Sequence, residues 1–251
     1  AFRMIYMPIG IIGVAIATAA VPEISRHAAA GRHDDMRATV SSGIRLMLVL
    51  SVPATVGLMV LAAPIIELLF ERGAFDATST AITAAALFFY APGIVGYSVV
   101  KIASPCFYAM KDARTPITIS LVTIGTNLVL NLTLNAIMGF TGLALGTAIA
   151  ANVNALLLLV MLARRIGGVD GPRLVWSLLR ITLASLVMAA AAWWIDSVLR
   201  ATLSGDTLVL RAVRVGLTIG AAIVVFGASA WLLRIDELRI AAARLSARFI
   251  R

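Results

Sequence analysis

The sequence predicts an all-α fold, a polytopic transmembrane helical bundle of about seven spans, and three observations lead to this class. Hydrophobic residues make up 61% of the 251 residues, and only 13% are charged, whereas soluble domains carry about 25% charged residues. Long apolar runs alternate with short polar loops, and the strand-period alternation of a membrane barrel is absent. Because lipid leaves the backbone only helices or closed barrels, helices remain.

The first predicted span, 1–24, is apolar and rich in small residues, which lets neighbouring helices approach closely in lipid. Its one guanidinium belongs to Arg3, and Pro8 loosens the helix just after it. In the basic segment that follows, 26–45, we expect a short amphipathic helix along the membrane interface. The other six predicted spans cover about 46–70, 81–110, 117–137, 143–162, 174–199 and 213–233.

Proline residues and glycine residues predict bends inside the second and third spans. Pro53 and Pro64 are candidate kink sites in the second span, and Pro92–Gly93 and Pro105 interrupt the third. These breaks sit where helices of a transporter could bend between two conformations.

The charge distribution predicts the orientation. The net charge is +9, and fourteen of the 21 Lys and Arg residues lie in one set of alternate loops, within 26–45, 111–114, 164–173 and 234–251. The positive-inside rule makes that set cytoplasmic, together with the basic C-terminal tail. Cations placed between apolar spans act as topology determinants and headgroup anchors, so the basic charge does not indicate a nucleic-acid partner.

No catalytic constellation is present in the sequence. His27 and His33 lie in the basic segment without a matching carboxylate pair at membrane depth, and the single cysteine, Cys106, excludes an internal disulfide and a Cys-based metal cluster. We therefore expect a protein that is not an enzyme and that carries no metal or organic cofactor.

Polar groups inside spans are the candidate functional residues. Arg3 either meets an anion in a bundle interior or lies at the interface as a snorkelling side chain. For Lys101 the position favours a lysine that snorkels to the headgroups over a cavity cation. Asn127 and Asn131 share one helix face because they are four residues apart, and this spacing favours interhelical hydrogen bonding over cation ligation. Fixed cations in an apolar cavity would suit a substrate with an anionic head and an apolar tail.

Three stretches carry a family resemblance. They are AFRMIYMPIGIIGVAIATAAVPEISRHAA at 1–29, LLFERGAFDATST at 68–80 and SPCFYAMKDARTPI at 104–117. They resemble the MurJ (MviN) lipid II flippases of the multidrug/oligosaccharidyl-lipid/polysaccharide exporter superfamily. The chain also opens inside an apolar helix without an initiator Met, so we expect the C-terminal portion of a longer protein.

The resemblance implies a fold of fourteen helices in two six-helix lobes plus two extra helices, with this chain supplying helices eight to fourteen, half of a two-lobe exporter fold. The second lobe then covers 1–163 with five spans, 164–173 is a cytoplasmic linker, and 174–251 holds the two extra helices and a basic tail. The extra pair is implied to border a hydrophobic groove that receives a lipid tail.

The resemblance also implies function and site residues. Members flip lipid II, the undecaprenyl-pyrophosphate-linked peptidoglycan precursor, across the bacterial inner membrane by alternating access, and Arg3 matches a cavity arginine that meets the pyrophosphate. A sodium site of some members would fall on Asn127, Asn131, the Leu143 carbonyl and Thr147. Because Asn131 stands where such sites use an aspartate, membrane potential is the other candidate driver.

The implied partners are lipid II, other membrane lipids, and cell-wall synthesis or division proteins. Two alternatives stay open: another polysaccharide-precursor lipid flippase of the same superfamily, and a non-transporting membrane scaffold of the cell-wall machinery.

Overall fold

The computed structural model describes residues 1–203, 205, 207–235 and 237, with the backbone alone at 11 and 12. The described residues form helices and no strand. The helices are α1 (Phe2–Pro8), a π-helical turn (Ile9–Gly13), α2 (Val14–Ala29), α3 (His33–Val60), α4 (Ala62–Phe70), α5 (Ala77–Tyr90), α6 (Gly93–Ala109), α7 (Arg114–Met138), α8 (Phe140–Ile166), α9 (Gly171–Thr202) and α10 (Leu208–Leu232).

The helix lengths confirm the predicted all-α membrane bundle. Five helices, α3 and α7 to α10, are each long and apolar enough to cross a bilayer. The pair α5 and α6 makes a sixth span that is bent by 43° at the break between them, which confirms the bend expected at Pro92–Gly93. The remaining predicted span is the run of α1, the π turn and α2, whose pieces have 7, 5 and 16 residues.

The interfacial helix expected within 26–45 is wrong. Only Ala30 to Arg32 separate α2 from α3, because α3 already begins at His33. Asp34 and Asp35 in the first turn of α3 favour a helix start, since carboxylates stabilise the positive end of the helix dipole. The basic segment therefore becomes the polar first part of α3.

The kink expected in the second span occurs at a different residue from the two prolines. Helix α3 runs through Pro53 and ends at Val60, and Leu61 separates it from α4. Pro64 falls in the first turn of α4, where the missing N–H has no intrahelical partner to lose. Pro105 likewise lies inside the continuous helix α6.

The core of the bundle forms around α3, α6 and α8. Helix α3 packs against α2, α6 and α9, and α8 packs between α6 and α7. Met47, Ile102 and Leu158 are fully buried at these contacts. A Cβ on Gly96 would lie 2.5 Å from the Ala151 carbonyl oxygen, so glycine at that position permits the close approach of α6 to α8.

The loops define two ends of the bundle. The basic end holds the connections 30–32, 110–113 and 167–170, and the opposite end holds 71–76 and the single-residue turn at Gly139. Gly139 has a φ of +63°, a left-handed conformation that glycine adopts without steric cost. The basic tail predicted within 234–251 lies largely outside the described residues.

Ion pairs attach α9 and α10 to the other helices at both ends. At the opposite end Arg200 contacts Glu67 at 3.1 Å and Asp196 at 2.9 Å, and Arg211 contacts Glu67 at 3.4 Å and Glu71 at 3.2 Å. Glu67 thus bridges α4 to α9 and α10. Single exposed pairs contribute little, whereas a network of shared charges restrains several helices at once.

Candidate functional site

Arg3 lies on an exposed face of α1 that we call the Arg3 face, formed by Phe2, Arg3, Tyr6 and Met7. All four side chains are exposed, Met7 by 66% and Tyr6 by 48%. Among the described residues Arg3 has no ion pair and no hydrogen bond. The Arg3 face therefore presents an uncompensated guanidinium on an apolar helix.

An aromatic contact joins α1 to α5 beside Arg3. The rings of Phe2 and Tyr90 lie 5.3 Å apart, and Tyr90 ends α5, which starts at Ala77 next to the loop 71–76. Thirteen residues of helix at 1.5 Å each place Tyr90 about 20 Å from that loop, in a hydrocarbon layer about 30 Å thick. Arg3 itself lies 26 residues, about 39 Å, before the end of its own helical run at Ala29, so anion contact in a bundle interior and snorkelling at the interface both stay predictions.

The π turn directly after α1 is a local consequence of proline and glycine. Pro8 has no N–H to donate to the carbonyl of Met4, and the backbone from Ile9 to Gly13 widens into i to i+5 bonding. Such π turns inside helices are frequent at functional sites. The turn keeps α1 and α2 in one helical run while changing the direction in which the Arg3 face points.

Lys101 lies beside the π turn. The position of a Cβ on Gly13 would be 3.3 Å from Lys101 Cγ, so the aliphatic stem of the lysine packs over the glycine. Lys101 is exposed and forms no ion pair within the described part of the chain. The structure places it on α6, next to the continuation of the helix that carries Arg3.

The four residues of the implied sodium site lie on two helices that pack together, Asn127 and Asn131 on α7 and Leu143 and Thr147 on α8. Asn131 Nδ2 donates to Asn127 Oδ1 at 3.0 Å, and the Thr147 hydroxyl donates to the Leu143 carbonyl at 2.8 Å. Asn131 Oδ1 is buried without a hydrogen-bond partner, and a Cβ on Gly146 would lie 2.5 Å from it.

These donors fit a cation that prefers oxygen ligands, because they offer amide, hydroxyl and carbonyl oxygens. They bring no negative charge. In the described ranges, no group of three His, Cys, Asp or Glu side chains is arranged to hold a metal ion.

A groove with a volume of about 1130 Å³ opens toward the basic end. Residues of α2, α3 and α9 line it together with Arg234, Ile235 and Glu237. Arg45 in its wall pairs with Glu237 at 2.7 Å, and Arg180 stacks over the ring of Trp176 with 5.6 Å between guanidinium carbon and ring centroid. The groove thus has a small-residue wall on α2 and cations at its mouth, and it lies beside the first of the two C-terminal helices.

Sequence reasoning missed the aromatic contacts of α1. Tyr6 lies 5.1 Å from Phe2 and 6.2 Å from Tyr97, measured between ring centroids. The signal was present, because Tyr90 and Tyr97 lie well inside the third predicted span rather than at its ends. The charge network around Glu67 was also missed, since its members are far apart in sequence.

The chain matches known proteins along most of its length. The family model described as "Lipid II flippase MurJ" matches residues 1–213. A probable lipid II flippase MurJ of Vibrio cholerae is 33% identical over 194 residues, which are 76% of this chain and 37% of that protein. The lipid II flippase MurJ of Burkholderia cenocepacia is 32% identical over 195 residues, with the same coverage of 76% and 37%.

The fold also matches a solved structure. The structure titled "Lipid II flippase MurJ, inward closed conformation" superposes with a TM-score of 0.72 over 94% of this chain and 46% of that chain, at 24% sequence identity. The chain thus spans somewhat more than a third of the length of the curated relatives that it matches. Together with the family match over 213 residues, these similarities show that the chain belongs to the MurJ family of lipid II flippases.

Proposed function

We propose that this chain forms one wall of a carrier that flips lipid II from the inner to the outer leaflet of a bacterial inner membrane. The substrate class comes from the family to which the chain belongs. One physical observation supports it: Arg3 lies exposed on an apolar helix and has no ion pair or hydrogen bond among the described residues. A guanidinium in that position is costly unless water or an anion compensates it, and a pyrophosphate supplies two adjacent anionic groups.

The role of Arg3 is electrostatic. Its planar fork of donors matches the phosphate oxygens of the substrate head and forms bidentate hydrogen bonds, which are stronger and more directional than those of lysine. Lys101, beside the π turn, adds a second cation along the path toward the basic end. No bond of the substrate has to break, so binding and release are the whole of the chemistry.

The helix breaks supply the places where the wall can bend. The 43° bend between α5 and α6, the break at Leu61 and the π turn after Pro8 lie in three adjacent spans. Alternating access would use these points to open the Arg3 face first toward one leaflet and then toward the other.

The orientation and the tail path complete the proposal. The basic end, with the C-terminus, faces the cytoplasm, because lysine and arginine are concentrated in its loops. The groove beside α9 opens at that same end, and it receives the polyprenyl tail while the head crosses along the Arg3 face.

The driver is either a sodium ion at Asn127, Asn131, Leu143 and Thr147 or the membrane potential. A potential acts on the negative substrate head with about 2.3 kcal/mol per elementary charge per 100 mV. Replacement of external sodium by choline during a translocation assay separates the two drivers.

The test uses Arg3 variants of the complete protein in cells depleted of their own lipid II flippase. Arg3→Ala is expected to abolish growth and the outward appearance of lipid II, because it removes the guanidinium that binds the pyrophosphate on this wall. Arg3→Lys is expected to retain part of both, since it keeps the charge and loses the bidentate geometry.

The matched control is Arg72→Ala, which removes an exposed arginine in the loop at the opposite end. That variant should behave as wild type, at equal protein abundance in the membrane. Normal growth and normal lipid II transfer by Arg3→Ala would contradict the proposal. Transfer of other polyprenyl-linked glycans with equal efficiency would favour a broader flippase, and absence of any transfer by wild type would favour a scaffold.

A further inference from the structure

Four aromatic rings form a connected set on α1, the helix that carries Arg3, and on the neighbouring α5 and α6. We call it the aromatic set: Phe2, Tyr6, Tyr90 and Tyr97. Phe2 packs edge-on against Tyr6 at 5.1 Å and against Tyr90 at 5.3 Å, and Tyr6 lies 6.2 Å from Tyr97. The set joins α1 to the bend between α5 and α6. It therefore links the helix that carries Arg3 to the main bend of the neighbouring span.

The aromatic set lies at an unusual depth for tyrosine. Tyrosine and tryptophan usually occupy the membrane interfaces, where the ring is in apolar surroundings and the polar atom meets water. Tyr90 is about 20 Å from the loop at the opposite end, counted along α5, and Tyr97 follows it by seven residues. These side chains thus lie too deep for an interfacial belt.

The hydroxyl groups of the aromatic set have no partner. Within the described residues, Tyr6, Tyr90 and Tyr97 neither donate to nor accept from any protein atom. A hydroxyl left without a partner in hydrocarbon costs several kcal/mol by transfer measurements, about 1–3 kcal/mol in proteins, so these hydroxyls face water or a ligand. Tyr6 is also 48% exposed, so its ring and hydroxyl are available to something that enters from the open side.

The position of Arg3 indicates which chemical group of a ligand would lie beside the aromatic set. Arg3 directly follows Phe2 and precedes Tyr6 by one helical turn, so the guanidinium and the rings share one side of α1. In a polyprenyl-pyrophosphate glycan, the first sugar is bonded to the second phosphate. A pyrophosphate held at Arg3 therefore places that sugar within reach of the neighbouring rings.

Resting on the proposed function, we propose that the aromatic set is a platform for the sugar rings of the lipid-linked substrate. The C–H groups on one face of a pyranose are weakly positive and stack on the negative face of an aromatic ring. The tyrosine hydroxyls donate to, or accept from, the sugar hydroxyl and acetamido groups. Arg3 holds the pyrophosphate, and the aromatic set distinguishes a glycosylated lipid from a bare one.

The experiment compares two probes that differ only in the peptide-bearing disaccharide bonded to the pyrophosphate. One is lipid II, and the other is undecaprenyl pyrophosphate, which has the same tail and pyrophosphate. Binding of each is measured to the purified complete protein in nanodiscs. The variants are Tyr6→Leu, Tyr97→Leu and Tyr6→Phe, with Tyr108→Leu as the control because Tyr108 is the one tyrosine outside the aromatic set.

The expected result is a selective loss. Tyr6→Leu and Tyr97→Leu each weaken lipid II binding about five- to tenfold, which is the size of an aromatic contact, and leave undecaprenyl pyrophosphate binding within about twofold. Tyr6→Phe keeps the ring and loses less. Arg3→Ala weakens both probes, and Tyr108→Leu weakens neither.

Two results would overturn the platform without touching the proposed function. In the first, wild type binds both lipids and the leucine variants leave lipid II binding unchanged. In the second, the variants weaken both lipids equally, as a purely structural role of the rings would. Failure of wild type to bind either lipid would instead sink the proposed function, and the platform with it.

Discussion

Two exposed helix faces of this chain have opposite chemistry. The Arg3 face of α1 presents an arginine, a phenylalanine and a tyrosine within five residues. Helix α7 exposes a purely aliphatic stripe, with 59% of Leu128 accessible, and only 6% of its most apolar window is buried. The stripe consists of Ile117, Leu121, Ile124, Leu128 and Leu132.

The polar groups on the two faces differ in the same direction. On α7 the hydroxyls of Thr126 and Thr133 donate to carbonyls four residues earlier, at 2.9 Å in both cases. Hydroxyls satisfied within their own helix can face lipid without penalty. The tyrosine hydroxyls beside Arg3 have no such partner among the described residues. Exposure alone therefore does not identify a lipid-facing surface. A lipid-facing surface is one whose exposed polar groups are already hydrogen-bonded within the protein.

The largest expected effect comes from placing a charge on each face. Leu128→Arg puts a guanidinium at the centre of the aliphatic stripe, which costs about 2.5–3.5 kcal/mol on insertion scales. Met7→Arg places the same group on the Arg3 face, at a side chain of similar exposure. We expect Leu128→Arg to reduce the folded, membrane-inserted protein severalfold, and Met7→Arg to leave it near wild type.

The measurement is the monodisperse peak of a fluorescent fusion after extraction in mild detergent, normalised to messenger level. Leu128→Gln serves as an uncharged control and should fall between wild type and Leu128→Arg. Equal yields of the two arginine variants would mean that both faces meet the same medium. That result would contradict the assignment of the α7 stripe alone to lipid.

The sequence was sufficient for the class of fold and for the position of Arg3 on a helix, because hydropathy and charge act locally along the chain. It could not show what lies beside Arg3. The contact between Phe2 and Tyr90, residues 88 positions apart, brings α1 against α5 there. Such a contact depends on how α1 packs against α5, which no local pattern encodes.

Two further differences have local causes that the pattern concealed. The basic segment before the second span predicts an interfacial helix, because charged and apolar residues alternate along it. In the structure Met36 and Val40 are fully buried and extend the buried face of α3. Gly13 does not stand out in sequence, although its missing side chain lets the stem of Lys101 pass over the π turn. The sodium site, by contrast, stays a prediction of the family resemblance.

The smallest expected effect concerns the carboxylate of Asp112, which lies just before the first turn of α7. The Thr115 hydroxyl and backbone N–H donate to the Asp112 carboxylate at 2.8 and 3.1 Å, and Arg165 contacts it at 3.1 Å. Hydrogen bonds from Thr115, with Arg165 adding to them, lower the pKa of Asp112 below its ordinary value of 3.8.

Because the folded-state pKa is lowered, the ionised carboxylate stabilises the fold above pH 3.8, and this contribution is lost as the pH falls through the lower folded-state value. We therefore expect Asp112→Asn to lower the thermal midpoint in detergent slightly at pH 7. The two proteins should have the same midpoint at a pH below the folded-state pKa of Asp112. A deficit that persisted at the lowest pH would assign the effect to packing instead of charge.

Thiol labelling in intact membranes tests whether the Arg3 face meets water while the aliphatic stripe of α7 meets lipid. Cys106 is the only cysteine of this chain and is buried, so Cys106→Ala, with every cysteine elsewhere in the complete protein also replaced, gives a clean background for Met7→Cys and Leu128→Cys. We expect the Met7→Cys variant to react rapidly with a water-soluble maleimide, and added lipid II to slow this reaction. We expect almost no reaction of the Leu128→Cys variant. Equal protection of both cysteines from the reagent would contradict this expectation, because the Arg3 face would then lie in lipid like α7.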